Sequence, residues 1–462
     1  MTSLRNTLLE AIEKTISLNE NPESLQGPAE QLRLIAELRS RLDTLLESSA
    51  PPSPEMRILK QIYFKSIYSR EDAIEKAYYG TFEWIVEEES PDTGNDFEEK
   101  GDEVSKKDRW SRRRDEETKM MRSQTRSAFL MWLRTGNHVF HISGKAGSGK
   151  STLMKLLLDH PRTREELNRW AADKQLVFAH LFFWRSGDKL QRSLEGLYRS
   201  ILFETLKRCP DLIQEVFPEA YNTFSKVRQE NSIDELFFRP EDFGKGLQRL
   251  ISKSPDPGYR FCFFIDGLDE YGEDGTDRLD HEKLAESLEL WANKDDIKIL
   301  VSSRPHSEFQ AAFSDDLRIK LHDLTKPDIS RFGRKMFEND KNFSRVQDSY
   351  KGLVDKVIEY SDGVFLWARL AIRSLLMAVG RREAIDSLEK QLDNIPKDMN
   401  DLYEKLLAPV SPGDRVKTSK MLLLADMCSS WPGLTAVAVT WIDCQLEVTC
   451  LQGVQLYSLN YR

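Results

Sequence analysis

Between Val139 and Leu158 the chain reads Val139-Phe140-His141-Ile142-Ser143-Gly144-Lys145-Ala146-Gly147-Ser148-Gly149-Lys150-Ser151-Thr152-Leu153-Met154-Lys155-Leu156-Leu157-Leu158. An apolar run gives way to a glycine-rich turn closed by a lysine and a hydroxyl, and an apolar helical pattern follows. Residues 144–151 fit G-x-x-x-x-G-K-[ST], a loop whose backbone wraps a phosphate so that several N–H groups face inward. Glycine permits that wrap, and the helix that follows adds the partial positive charge of its amino terminus. The expected phosphate contacts are Gly144, Lys145, Ala146, Gly147, Ser148, Gly149, Lys150, Ser151 and Thr152. Lys150 is expected to reach the outer phosphates, and the Ser151 hydroxyl to take one position on Mg²⁺.

Working outward, Phe261-Cys262-Phe263-Phe264-Ile265-Asp266-Gly267-Leu268-Asp269-Glu270 is an apolar strand pattern that ends abruptly in acids. In an open parallel sheet ligands bind beyond the carboxyl ends of the strands, which places Asp266 opposite the Mg²⁺ of Ser151 and makes Asp269 or Glu270 the candidate that polarises an attacking water. A third apolar run, Lys298-Ile299-Leu300-Val301-Ser302-Ser303-Arg304-Pro305, ends at the same expected edge, with Arg304 as a candidate contact for the γ-phosphate. Phe182-Phe183-Trp184-Arg185-Ser186 is a weaker analogue and reads more simply as an ordinary strand end.

Strand patterns at 176–183, 260–265 and 297–302 alternate with helical stretches near 190–206, 240–251 and 281–291. Such alternation predicts an α/β fold with a parallel sheet covered by helices on both faces. Residues 1–86 carry Leu and Ile at helical spacing and read as a helical amino-terminal module, and 87–118, with Pro91, Gly94, Gly101 and few apolar residues, as a charged flexible linker. The nucleotide domain is expected over 119–322, a helical subdomain over 323–392, and a partial or truncated winged-helix-like region over 393–462.

The 462 residues are 40% hydrophobic and 31% charged, the balance of a folded soluble chain, and the net charge of −9 argues against broad binding to a nucleic-acid backbone. Cys209, Cys262, Cys428, Cys444 and Cys450 form no CxxC pair, which fits a reducing, cytoplasmic setting. The amino terminus lacks the plan of a signal peptide, and the apolar stretch 421–448 is broken by Asp426, Pro432, Gly433 and Asp443, so no membrane span is expected. His141, His160, His180 and His306 read as core, cap or loop residues. No Asn-Lys-x-Asp stretch follows a suitable strand, which favours adenine over guanine.

Taken together, 141–155, 261–271, 297–305 and Tyr360-Ser361-Asp362-Gly363-Val364-Phe365-Leu366-Trp367 resemble the fungal NACHT-type P-loop NTPases, NLR-like signalling ATPases of the STAND group with a nephrocystin-like NTPase module, related to vegetative-incompatibility proteins. Thr81-Phe82-Glu83-Trp84-Ile85 and Asp401-Leu402-Tyr403-Glu404-Lys405-Leu406 extend the resemblance to about 65–410. It implies ATP or ADP with Mg²⁺ as ligands, Asp266 and Ser151 at the metal, Asp269 or Glu270 in slow hydrolysis, and Arg304 as γ-phosphate sensor. It further implies a nucleotide-dependent switch in incompatibility or innate-immunity-like signalling, with self-association and a protein partner engaged through the amino-terminal helices. Where animal members usually carry a proline, this chain has Phe365 in Gly363-Val364-Phe365. The alternative is a scaffold that binds nucleotide without hydrolysing it.

Overall fold

A computed structural model describes residues 52–78, 80–88, 106–226, 238–252, 258–272, 278–398 and 401–404, with backbone alone for 106–115 and 278–279. The helices expected over 1–51 and nearly all of the region beyond 393 lie outside these residues. The principal elements are α1 (Pro54–Ile62), α2 (Ser69–Ala73), α3 (Lys106–Thr135), β1 (Val139–Ser143), α4 (Lys150–Asp159), α5 (Pro161–Ala171), β2 (Gln175–Phe182), α6 (Leu194–Arg208), α7 (Pro240–Ser252), β3 (Tyr259–Asp266), α8 (Arg278–Ala292), β4 (Ile297–Ser303), β5 (Arg318–Lys320), α9 (Lys326–Glu338), α10 (Tyr350–Ser361), α11 (Phe365–Gly380) and α12 (Ile385–Asp393).

The strands form one parallel sheet in the order β2-β3-β4-β1-β5. Side chains alternate faces along a strand, and the two cores follow that alternation. Val177, Ala179, Leu181, Phe261, Phe263, Ile265, Ile297, Ile299 and Val301 share one cluster with Leu197 and Ile201 of α6, Leu247 of α7 and Leu288 of α8. Phe178, Phe182, Cys262, Phe264, Leu300, Phe140 and Ile142 share the other with Leu153 and Leu157 of α4, Leu167 of α5, and Phe129 and Trp132 of α3. Burial on both faces is why these strands read as continuous apolar runs instead of alternating ones. The expected α/β fold, with helices on both faces of a parallel sheet, is the fold observed. Strand β5 was not anticipated, because three residues are too few to show a period.

Residues 52–78 and 80–86, expected within a separate amino-terminal module, pack into the sheet domain. Ile58 and Ile62 join the first cluster, and Ile74, Phe82, Trp84, Ile85 and Val86 the second. Helix α3 begins at Lys106, inside the stretch read as a linker. From 106 to 135 there is no proline or glycine, and Lys, Arg, Glu and Met are strong helix formers. A scarcity of apolar residues therefore marked a solvated helix rather than a flexible chain. A third cluster, with Ile329, Phe332, Phe337, Leu353, Val357, Trp367, Ile372 and Leu388, is the core of the α9–α12 bundle. No helix among the described residues is long and apolar enough to cross a membrane.

Lys298 shows how the sheet holds α3. Its ammonium is buried on β4, donates to the carbonyls of Trp132 and Gly136 at the carboxyl end of α3, and lies 4.8 Å from the centroid of the Trp170 ring. Burial pulls its pKa down to about 8. Lys298→Met leaves two helix-end carbonyls without that donor, and is expected to lower the unfolding free energy by about 2 kcal/mol in urea titrations.

Candidate functional site

Because the sheet is parallel, every strand delivers its carboxyl end to the same edge, and β4 lies between β1 and β3. The glycine loop leaves β1 at that edge and enters α4 at Lys150. Gly147 and Gly149 adopt φ of +72° and +95°, a backbone region that other residues enter only under strain. Both glycines are also crowded from outside the loop. A β-carbon on Gly149 would stand 2.6 Å from Phe82 Cζ, and one on Gly147 2.8 Å from Leu366 Cβ. Phe82 reaches over from the amino-terminal segment, and Leu366 from α11, whose N–H donates to the Gly147 carbonyl at 3.1 Å. Lys145 pairs with Asp362 on the same side. Lys150 folds back to donate to the carbonyls of Gly144 at 2.8 Å and Lys145 at 3.2 Å.

Asp266 ends β3 fully buried. Its Oδ1 accepts from the Ser302 hydroxyl at 2.5 Å, and the same hydroxyl accepts from the Gly267 N–H at 3.0 Å. Burial raises the pKa of Asp266, and the Ser151 and Ser302 hydroxyls and the charges of Lys150 and Arg70 pull it back. Ser151 and Asp266 are therefore neighbours, with Lys150 close by. Asp266 Oδ2 is buried and has no well-aligned hydrogen-bond donor, and the same is true of the Ser148 hydroxyl. Orphaned polar atoms at this depth cost free energy unless a ligand satisfies them. A divalent cation between Ser151 and Asp266, with phosphate on the loop amides, fits these groups.

The two following acids differ in state. Asp269 is committed to Arg304, whose backbone N–H donates to Oδ1 at 2.8 Å and whose Nε stands 3.0 Å from Oδ2. Glu270 Oε2 accepts from the Arg185 N–H at 3.0 Å. Burial raises the Glu270 pKa, the Asp266 and Asp269 charges add to the rise, and the Arg185 N–H and the Arg70 charge oppose it. Burial lowers the pKa of Lys150, and the Asp269 and Asp266 carboxylates work against that fall.

His141 braces the strand that launches the loop. Its Nδ1 accepts from Arg318 Nε at 3.2 Å, so the neutral ring carries its proton on Nε2, 2.8 Å from the Ser303 hydroxyl. Burial and the charges of Arg318 and Lys150 lower its pKa to about 3. The folded state thus disfavours imidazolium, while the unfolded chain protonates near pH 6.5. Stability from this group is complete above that pH and is lost as pH falls toward 3, at about 1.4 kcal/mol per unit. Acidification from pH 7 to pH 5 is expected to cost about 2 kcal/mol in urea unfolding. His141→Gln should flatten that slope.

The site residues expected from sequence converge on one edge. Sequence reading missed several of their neighbours. Ser302 was seen only as a hydroxyl at a strand end. Trp184 and Arg185, set aside as an ordinary strand end, flank Glu270 and Arg70. Arg70 and Phe82 come from a segment whose helical pattern gave no sign of the site, although Phe82 lies in the quoted Thr81-Phe82-Glu83-Trp84-Ile85 stretch. His160, one of four histidines read together as core, cap or loop residues, caps α5 by accepting from the Arg162 N–H.

Residues 123–304 match the family model described as Nephrocystin 3, N-terminal. The matched stretch runs from α3 through the glycine loop and Asp266 to Arg304, and covers less than half of the chain. Among solved structures, the crystal structure of Cdc6p from Pyrobaculum aerophilum is similar at 12% identity over 72% of this chain and 85% of that one. Its TM-score is 0.29, at which nothing passes from one chain to the other. No curated protein matches the chain.

Proposed function

We propose that this edge binds ATP or ADP with Mg²⁺, hydrolyses ATP slowly, and uses the nucleotide to switch the α9–α12 bundle between a docked and a released arrangement. The observation that carries the reading is the meeting of Ser151 and Asp266 beside Lys150, with Asp266 Oδ2 and the Ser148 hydroxyl buried and unsatisfied. Residues 144–152 would hold the phosphates, and Ser151 and Asp266 the cation. The bound Mg²⁺ would supply charge neutralisation on the outer phosphates. Glu270 is the better candidate to orient the attacking water, since Asp269 is occupied by Arg304. Arg304 is half exposed, and its pairing with Asp269 must rearrange before it senses a phosphate.

Docking of the bundle is coupled to the loop by Leu366, Val364 and Asp362, which touch Gly147 and Lys145. A ligand shifts such an equilibrium only through contacts that differ between its two states. The NACHT-type signalling role, in fungal incompatibility or a related response, rests on the sequence resemblance, as does self-association through the amino-terminal helices, and a cytoplasmic setting rests on the cysteine pattern.

The direct test is to identify the nucleotide that co-purifies with the full chain, and to measure ATP affinity and phosphate release. Lys150→Ala is expected to weaken ATP by roughly tenfold to a hundredfold, the range for a hydrogen bond to a charged group. Glu270→Gln should keep nucleotide and lose phosphate release. A wild-type protein that binds neither ATP nor ADP overturns the proposal, and one that binds ATP without releasing phosphate reduces it to the scaffold reading.

A further inference from the structure

Among the described residues, Arg70 is an arginine with no carboxylate partner beside two acids, Asp266 and Glu270. It lies on α2, far ahead of the glycine loop in sequence. It makes no hydrogen bond or ion pair to any described residue, and its Nε is buried and unsatisfied. Its guanidinium lies 5.8 Å from the centroid of Trp184, two residues beyond the end of β2, whose neighbour Arg185 holds Glu270. Its charge is close enough to favour the carboxylate forms of both Asp266 and Glu270. Arg304, also at this edge, is already bound to Asp269.

The position of Arg70 is fixed by its surroundings. Next to it, the Glu71 carboxylate stands 2.8 Å from His180 Nε2 on β2, and the Glu71 and Ile74 carbonyls accept from Lys155 of α4 at 2.6 and 3.0 Å. Ser66 donates to Asp188 on the loop after β2. Helix α2 is thus fastened to the strand and the helix that flank the site, and Arg70 is held at the edge before any ligand arrives. A half-buried guanidinium with free donors is suited to a phosphate, which it can grip through two parallel N–H···O bonds.

We propose that Arg70 binds the terminal phosphate of a nucleoside triphosphate at this site, so that the segment ahead of the loop, and not Arg304 alone, distinguishes triphosphate from diphosphate. The inference rests on the nucleotide reading above and adds the residue that tells the two ligands apart. It also makes α2 a place where the nucleotide state reaches the amino-terminal part of the chain, because the contact to Arg70 stabilises the docked α2 in the triphosphate state alone.

The test compares Mg²⁺-dependent binding of AMP-PNP and ADP, each as a fluorescent mant derivative, to the full wild-type chain, Arg70→Gln and Arg70→Lys. Arg70→Gln is expected to weaken AMP-PNP by roughly tenfold or more while ADP changes less than about twofold, the loss appropriate to one charged hydrogen-bond pair. Retained ADP binding also reports that the variant is folded. Arg70→Lys, with a point charge in place of the planar fork, should fall between. Selective weakening of AMP-PNP in either variant supports the proposal. Equal weakening of the two nucleotides, or no weakening, overturns it and leaves the nucleotide reading standing. A wild-type chain that binds neither ligand overturns both.

Discussion

Asp328→Ala is expected to lower the unfolding free energy by about 3–5 kcal/mol, the loss that follows when one partner of a buried ion pair is removed. Asp328 is completely buried on α9, and Arg122 of α3, 2.6 Å away, is nearly so. The carboxylate also accepts from Trp84 Nε1 at 2.9 Å and from the Phe82 N–H at 3.3 Å. Arg122 in turn donates to the Leu324 carbonyl and lies 4.7 Å from the Trp84 ring centroid. Burial raises the pKa of Asp328, and Arg122 first, then Trp84 and Phe82, oppose the rise. Three parts of the chain therefore meet on one carboxylate: the 80–88 segment, α3 and the α9–α12 bundle. Removing it takes the Asp328 carboxylate away from the buried Arg122 guanidinium. Urea unfolding of the full chain checks the figure. The double variant Arg122→Met/Asp328→Leu should recover most of the loss, because well-packed apolar residues replace a buried pair at little cost. A loss under about 1 kcal/mol in the single variant would mean that water reaches the pair as it reaches a surface one.

Gly363→Ala is expected to be comparably severe, on the order of 4 kcal/mol, for a different reason. Gly363 adopts φ of +79°, and an added β-carbon would overlap the His322 carbonyl oxygen, a backbone atom that cannot rotate away. Its own carbonyl accepts from the Thr325 hydroxyl at 3.0 Å. To admit a methyl group, the turn between α10 and α11 must lift from residues 321–325. Val364 and Leu366, which lean on Gly147, lift with it. The thermal midpoint should fall by roughly 10 °C, and nucleotide affinity should change as the docked bundle leaves the loop. An unchanged midpoint would show that the turn yields freely, and would remove the bundle's grip on Gly147 from the proposed switch.

Much of the fold was legible because its central strands are buried on both faces. Such strands write their length directly into the sequence, and 260–265 and 297–302 fell within a residue of β3 and β4. The turn between β1 and α4 was legible because glycines at fixed spacing between an apolar run and an apolar helical pattern mark a strand, turn and helix. Helix α3 was misread over its first turns because charge density was taken for flexibility, and the 52–86 segment because an amphipathic helix does not state which surface covers its apolar face.

The sequence alone determined the local chemistry: a strand, a glycine turn at positive φ, a lysine and a hydroxyl at a helix start, and acids at the end of a buried strand. Tertiary structure alone decided which charges meet. It placed β4 between β1 and β3, so that Ser302 of β4 holds Asp266 beside Ser151. It paired Arg304 with Asp269, and left Arg70, over the Trp184 ring, at the same edge with no ion pair among the described residues. Periodicity fixes the direction of a side chain relative to its own element, but the order of strands and the docking of helices arise from contacts between distant segments, and spacing along the chain carries no record of those.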